Sequence, residues 1–296
     1  MNRRQFFAAG AGLTVAGRVS AIEPIARSGP AHLKLSLAAY SFNSALNRRG
    51  NAKPTMTLEK FVELSAGWGL SAVELTQYYF PETSPTYLAK LKGMCTKLGL
   101  DISGTAVGND FCVADPAKLK EQIATVKQWT EHTSRLGGKT MRIFAGAAPR
   151  GTSEEKARKQ CVEAIQEVCD HAAQFGVFMA LENHGGIVMT GEQLLAVVTA
   201  VKHDWFGVNL DTGNFRSSDP YADMAKAAPY AVVAQVKTDV HRTGQPNEPA
   251  DMGRIIKILR DARFRGYVAL EYEGRKEEAM TAVPKYLGQL RELMKG

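Results

Sequence analysis

From residue 33 onward, short runs of aliphatic and β-branched residues alternate with longer amphipathic stretches. Eight runs read as strands: LKLSLAAY (33–40), AVELTQ (72–77), LDISGTAV (100–107), KTMRIFAG (139–146), GVFMALEN (176–183), FGVNLD (206–211), YAVVAQVK (230–237) and GYVALEY (266–272). Between them lie segments such as TLEKFVELSAGWG, EEKARKQCVEAIQEVCDHAAQFG and MGRIIKILRDARFRG, whose apolar residues recur at helical spacing. Gly69, Gly99, Gly176 and Gly266 stand where helix gives way to strand, the place for a left-handed cap. A strand-helix unit about every 33 residues, eight times over, predicts an α/β fold, a single-domain (β/α)8 TIM barrel. A doubly wound open sheet competes, but it wants a glycine-rich turn after the first strand, and AAYSFNSAL has none.

Composition allows this and removes other classes. The 296 residues are 45% hydrophobic and 23% charged, enough for a large core and too apolar for disorder. The first 21 residues, MNRRQFFAAGAGLTVAGRVSA, are set apart as an export signal: a basic start, an apolar stretch from Phe6 to Ala16, and a small-residue end at Ala21. Arg3-Arg4 followed by Gln5-Phe6-Phe7 resembles the bacterial twin-arginine signal. The expected domains are thus residues 1–21 (signal) and 22–296 (barrel), with the mature protein periplasmic, or membrane-anchored where the signal stays uncleaved. Gly10-Ala11-Gly12 is not a dinucleotide fingerprint, since no strand precedes it and Val15 fills the third glycine's place. Without the signal, which carries three arginines and no acid, the formal charge falls from +7 to +4, too mild to argue for nucleic acid. Cys95, Cys112, Cys161 and Cys169 show no metal spacing. Cys161 and Cys169 lie about 12 Å apart along one helix and cannot bridge each other.

The stretch MALENHGG (179–186) runs apolar and then stops on an acid, an amide and an imidazole. In a barrel of this kind the C-terminal ends of the strands carry the chemistry, so polar residues ending an apolar strand are in the right place. The last four strands offer Glu182, Asp211, Gln235 and Glu271, separated by 29, 24 and 36 residues, each about one unit from the next. Two positions earlier come Ala180, Asn209, Val233 and Ala269, small or neutral enough to line the barrel beneath. Three carboxylates and one carboxamide make an oxygen-rich set suited to Mn²⁺, Mg²⁺ or Co²⁺, and less to Zn²⁺. A divalent cation would also offset the mutual repulsion of the buried acids.

The motifs GLSAVEL, ALENHGG, VNLDTGN, VAQVKTD and GYVALEYEG resemble those of the xylose-isomerase-like TIM barrels, the sugar phosphate isomerase/epimerase superfamily, across residues 33–292. The resemblance implies one divalent metal held by Glu182, Asp211, Gln235 and Glu271, with Glu182 and Glu271 as the acid/base pair. It departs at Gln235, where many epimerases carry His and hydroxypyruvate-isomerase-like members carry Gln, and at Asn214, where epimerases often carry His. The implied activity is a metal-dependent isomerase or epimerase. It acts by proton transfer next to a metal-polarised carbonyl, through an enediolate, on a non-phosphorylated sugar or keto-sugar. The same enolate chemistry makes a lyase or hydratase on 3-keto-sugars or glycosides the alternative, and a non-catalytic carbohydrate-binding barrel is the rival outside enzymes.

His184, Asn214, Lys237, His241 and Glu74 complete the set as substrate-binding candidates. Lys237 can stabilise an enediolate or pair with a ligand acid, and Glu74 can equally be a barrel-floor acid. Trp68, Trp129 and Trp205 read as packing, while Tyr78, Tyr79 and Phe80 after the second strand read as a sugar platform. An amidohydrolase would need an HxH pair ending the first strand, and a three-zinc nuclease many mouth histidines; neither is present. The expected partner is a small carbohydrate, with no nucleic acid and no membrane once the signal is removed; a homo-oligomer is left open. The export reading predicts a mature N-terminus at or near Ile22 and loss of export when Arg3 and Arg4 are both changed to Lys. N-terminal sequencing of periplasmic protein checks it, and an intact Met1 there would refute it.

Overall fold

The structure, a computed structural model, describes residues 22–48, 53–274 and 276–295. The expected signal, residues 1–21, lies outside them. Eight strands alternate with eight main helices: β1 (His32–Ala38), α1 (Leu58–Gly67), β2 (Ala72–Thr76), α2 (Pro85–Lys97), β3 (Asp101–Ala106), α3 (Pro116–Leu136), β4 (Thr140–Ile143), α4 (Glu154–Phe175), β5 (Phe178–Glu182), α5 (Gly191–Val198), β6 (Phe206–Asp211), α6 (Pro220–Ala227), β7 (Ala231–Lys237), α7 (Met252–Asp261), β8 (Arg265–Glu271) and α8 (Ala279–Leu293). Every strand pairs in parallel with its sequence neighbours, and β8 closes on β1. A two-stranded ribbon, Asp239–Val240 with Glu248–Pro249, rises from the loop after β7. Among the described residues no helix is long and apolar enough to cross a membrane.

The local chemistry explains the element starts. Side chains of Thr57, Ser84, Asp115, Ser153, Thr190, Asp219 and Asp251 cap the first seven helices, each accepting from backbone N–H groups that would otherwise lack partners. Thr190 and Gln193 form a reciprocal capping box. Gly69, Gly99 and Gly176 adopt positive φ as expected. Gly266 does not, because it already lies inside β8; the left-handed turn falls on Arg263 (φ 50°), two residues before the strand. Two apolar layers result. The large one lies between the helices and the outer faces of the strands, and a small one of Ala72, Ala180, Val233 and Tyr267 fills the inside. Trp68 stacks on Phe42, and Trp129 packs edge-on to Phe80, so both serve packing as expected. Tyr79 and Phe80 do too: Tyr79 is buried and donates to Asn43, so neither is a platform.

The segment before β1 crosses the N-terminal end of the barrel. Ile22 and Ile25 donate backbone bonds to Val201 and Pro229. The Arg27 guanidinium donates to the carbonyls of Pro229 (3.2 Å), Ala262 (3.3 Å) and Ala231, and lies over the Phe264 ring. One side chain therefore satisfies acceptors from the starts of β7 and β8. Arg27→Met is expected to strip these carbonyls of their donor at a cost of about 1–3 kcal/mol, read as a fall of a few degrees in Tm. An unchanged Tm would show that water replaces the guanidinium without loss.

Candidate active site

At the C-terminal mouth of the barrel the strand ends bring together Glu182, Asp211 and Glu271, all buried. Each ends its strand, as expected. Gln235 does not: β7 runs two residues further, so Lys237 tops it, and Gln235 lies one layer deeper. In the register Gln235 pairs with Asp211 on β6 and with Ala269 on β8, while Lys237 pairs with Glu271. Gln235 is occupied below, donating to Glu74 Oε1 and accepting from Asn209 Nδ2, both at 2.6 Å. Glu74 accordingly sits inside the barrel under the mouth rather than at its surface.

Each acid has its own cation or donor. The Lys237 ammonium lies 2.8 Å from Glu271 Oε1, 2.8 Å from Glu273 Oε1 and 3.4 Å from Asp211 Oδ2. Glu182 takes Arg142 Nε at 2.9 Å on one oxygen and Asn214 Nδ2 at 2.8 Å on the other. Arg142 in turn donates to the Val107 carbonyl and stacks 3.8 Å over Phe144, against whose ring His184 packs at the exposed rim. Asn183 bridges β5 to β6, donating to the Asp211 carbonyl and accepting from its N–H, which fixes the Asp211 backbone. His241 faces the cavity beside the cluster, next to Asn247. Gly185 and Gly186 follow His184 because the chain turns there with positive φ, and a Cβ on Gly186 would collide with the Gly146 carbonyl.

The sequence reading missed Arg142, Asn183, Asn209 and Glu273. The signal for Arg142 was there: a charge inside an apolar strand, at the alternation that faces the barrel axis. Burial sets the electrostatics. Burial raises Asp211 well above the usual carboxylate range, with Glu182 and Glu271 adding to the effect against Lys237. Burial also pushes Glu271 up, but the Lys237 charge and hydrogen bond outweigh it and leave it below its ordinary value. Burial lowers Lys237, yet Asp211 and Glu271 win, so it stays an ammonium.

The divalent cation implied by the resemblance can be tested against this cluster. Among the described residues Glu74, Glu182, Asp211, Glu271 and Glu273 outnumber the cations Arg142 and Lys237, with Arg216 near Asp211 and Glu273, and Asp211 Oδ2 is buried with an ion pair but no hydrogen bond. An oxygen-rich, over-negative set of this kind fits a hard divalent ion. Among the described residues no three Asp, Glu, His or Cys side chains already close on one point. Lys237 stands between Asp211 and Glu271, so an entering ion would compete with its ammonium.

Glu74 supplies a test of the buried charge. Burial first, and then the Glu271 charge, push its pKa from 4.5 up to about 7. Between those values the folded protein holds a proton that the unfolded chain has lost. Its contribution is therefore fully present below pH 4.5 and is lost as pH rises to about 7, a swing of roughly 3 kcal/mol. In metal-free protein the Tm of Glu74→Gln, whose amide can still accept from Gln235, is expected to gain on the wild type from pH 5 to 7 and to hold that gap above. A gap independent of pH would refute the assignment.

Comparison with known proteins agrees with the architecture. No curated protein is similar enough in sequence to match. Solved structures that share the fold include the following three. The D-psicose 3-epimerase of Clostridium cellulolyticum H10, solved with D-tagatose, is 16% identical, with 89% of this chain and 100% of that one covered at a TM-score of 0.71. The D-allulose 3-epimerase of Methylomonas sp. is 18% identical, with coverage of 90% and 98% and a TM-score of 0.67. The IOLI protein, solved with a bound zinc atom, is 20% identical, with coverage of 88% and 96% and a TM-score of 0.68. The family model for xylose isomerase-like TIM barrels matches residues 62–295, and with the closed barrel and the acids at its mouth it shows that the chain belongs to that family.

Proposed function

We propose that the protein is a sugar isomerase or epimerase in which Glu182 and Glu271 move a proton on and off a carbon next to a carbonyl. The observation that carries this reading is the pair itself: two buried carboxylates from β5 and β8, with Asp211 between them on the strand circuit and Lys237 beside Glu271. Fold relatives named as a D-psicose 3-epimerase, solved with D-tagatose, and a D-allulose 3-epimerase support it.

The residues have separable tasks. Glu271, kept ionised by Lys237, is ready to take a proton. Glu182 is held by the Arg142 ion pair on one oxygen and by the Asn214 hydrogen bond on the other. Lys237 offers positive charge where negative charge would develop on an enediolate oxygen. Glu182, Asp211 and Glu271 would hold a divalent ion, Mn²⁺, Mg²⁺ or Co²⁺ by donor hardness, with Gln235 joining only if its amide leaves Asn209 and Glu74. When bound, such an ion polarises the substrate carbonyl and acidifies the adjacent C–H. One base suffices for aldose-ketose exchange, and two on opposite faces allow epimerisation. Export to the periplasm, supported by Arg3-Arg4 and Ala21, belongs to the same proposal.

A screen of neutral and keto sugars in D₂O tests the chemistry. Deuterium is expected next to the carbonyl in substrate and product of equal mass, whereas a change of mass by water or a leaving group would indicate a lyase or hydratase. Glu182→Gln and Glu271→Gln should each lower turnover by about 10²-fold or more. Elemental analysis is expected to find about one divalent ion per chain, lost in Asp211→Ala. Full activity in both Gln variants refutes the acid/base roles, and sugar binding without turnover in the wild type favours a binding protein.

A further inference from the structure

On the β6–β8 side the mouth widens into a cavity of about 670 Å³. Lys237 lines it, so it is continuous with the acid cluster, and its walls come from the loops after β6, β7 and β8. Of the acids in those walls, Glu273 pairs with Lys237 at 2.8 Å and Glu277 with Lys285 at 3.2 Å, while Asp239 accepts a neutral hydrogen bond from the Thr238 hydroxyl at 2.9 Å. The exposed Lys276 shares the walls with a half-buried cation, Arg216. Its Nη1 donates to the carbonyls of Gly213 (2.8 Å) and Phe215 (3.0 Å), bonds that hold the guanidinium without neutralising it. No carboxylate among the described residues forms an ion pair with it. Its backbone N–H is tied to Met189 at 2.9 Å, which anchors the loop that carries it. Burial draws its pKa down from the usual arginine value against the opposing charges of Asp211 and Glu273, and a guanidinium stays charged at any working pH. Beside it, burial and the Arg216 charge depress His241, so that imidazole is a neutral neighbour.

Arg216 is thus a fixed, half-buried cation with no carboxylate in ion-pair contact among the described residues, only the more distant charges of Asp211 and Glu273, and it lines a cavity next to the acid/base groups, where a ligand's anionic group can reach it. We propose that Arg216 anchors a carboxylate on the substrate, so that the site takes acidic sugars, uronic or aldonic acids and their keto forms, in preference to neutral ones. The inference rests on the reading of the mouth as a sugar-converting site and narrows its substrate class. A carboxylate suits the site better than a phosphate for two reasons. The planar guanidinium matches two coplanar oxygens. Asp239, Glu273 and Glu277 line the same cavity and repel a dianion about twice as strongly as a monoanion.

Thermal shift and calorimetric titration of the wild-type protein against a panel of hexuronic acids, each beside the neutral aldose of the same configuration and its 6-phosphate, test the proposal. At least one uronate is expected to bind 10-fold or more tightly than its neutral partner and its phosphate. Arg216→Gln should cut that uronate's affinity at least 10-fold while leaving the aldose nearly unchanged, and Arg216→Lys should recover part of the loss. Equal affinity for uronate and aldose, no uronate binding, or a preference untouched in Arg216→Gln would overturn the proposal, and an Arg216-dependent preference for the phosphate would overturn the carboxylate assignment. Binding is read without turnover, so the two readings fail separately. An Arg216-dependent uronate preference without deuterium exchange removes the isomerase and keeps the anchor, and exchange on neutral sugars without that preference does the reverse.

Discussion

The Lys237 ammonium, within 2.8 Å of both Glu271 and Glu273 and 3.4 Å from Asp211, is the counter-charge on which the mouth of the barrel depends. Carboxylates from different strands approach one another there because the parallel ladder aligns the strand ends, and the ladder cannot relax to separate them. Without a cation, burial would drive their protons back on and remove the base that the proposed chemistry requires. Lys237 solves this for the β7–β8 half of the mouth and Arg142 for the β4–β5 half. The two cations differ in kind. Arg142 is pinned by Val107 and by its stack on Phe144, so Glu182 is rigidly aimed, whereas a lysine holds its acids as a point charge on a flexible stem. The β7–β8 half is thus the one able to reorganise around an incoming ion or oxyanion.

Much of the fold was legible in the sequence, because parallel strands buried on both faces write themselves as apolar runs and the helices between them as amphipathic ones. Each of the eight expected runs contains or overlaps its strand, and the ends erred where local chemistry is silent. Arg263 takes the left-handed turn before β8 with nothing in DARFRG to mark it, so the cap was assigned to Gly266. The candidate site was legible at Glu182, Asp211 and Glu271 because each stands last or next to last in its run. Gln235 and Lys237 are two apart, and alternation sends both inward; only the register shows that Gln235 pairs with Asp211 on β6 and Lys237 with Glu271 on β8. The pairing of Arg142 with Glu182 spans 40 positions and belongs to tertiary structure, outside the reach of any local pattern.

The strap that begins at Ile22 touches the barrel at Val201, Pro229, Ala231 and Ala262, all at the end opposite the acids. These contacts join the front of the chain to segments some two hundred residues later, so the strap can seat only after the last strands have been made. The first described residue, Ile22, therefore lies at the pole opposite the acids, and the strap leaves the opening, where small solutes arrive, uncrowded.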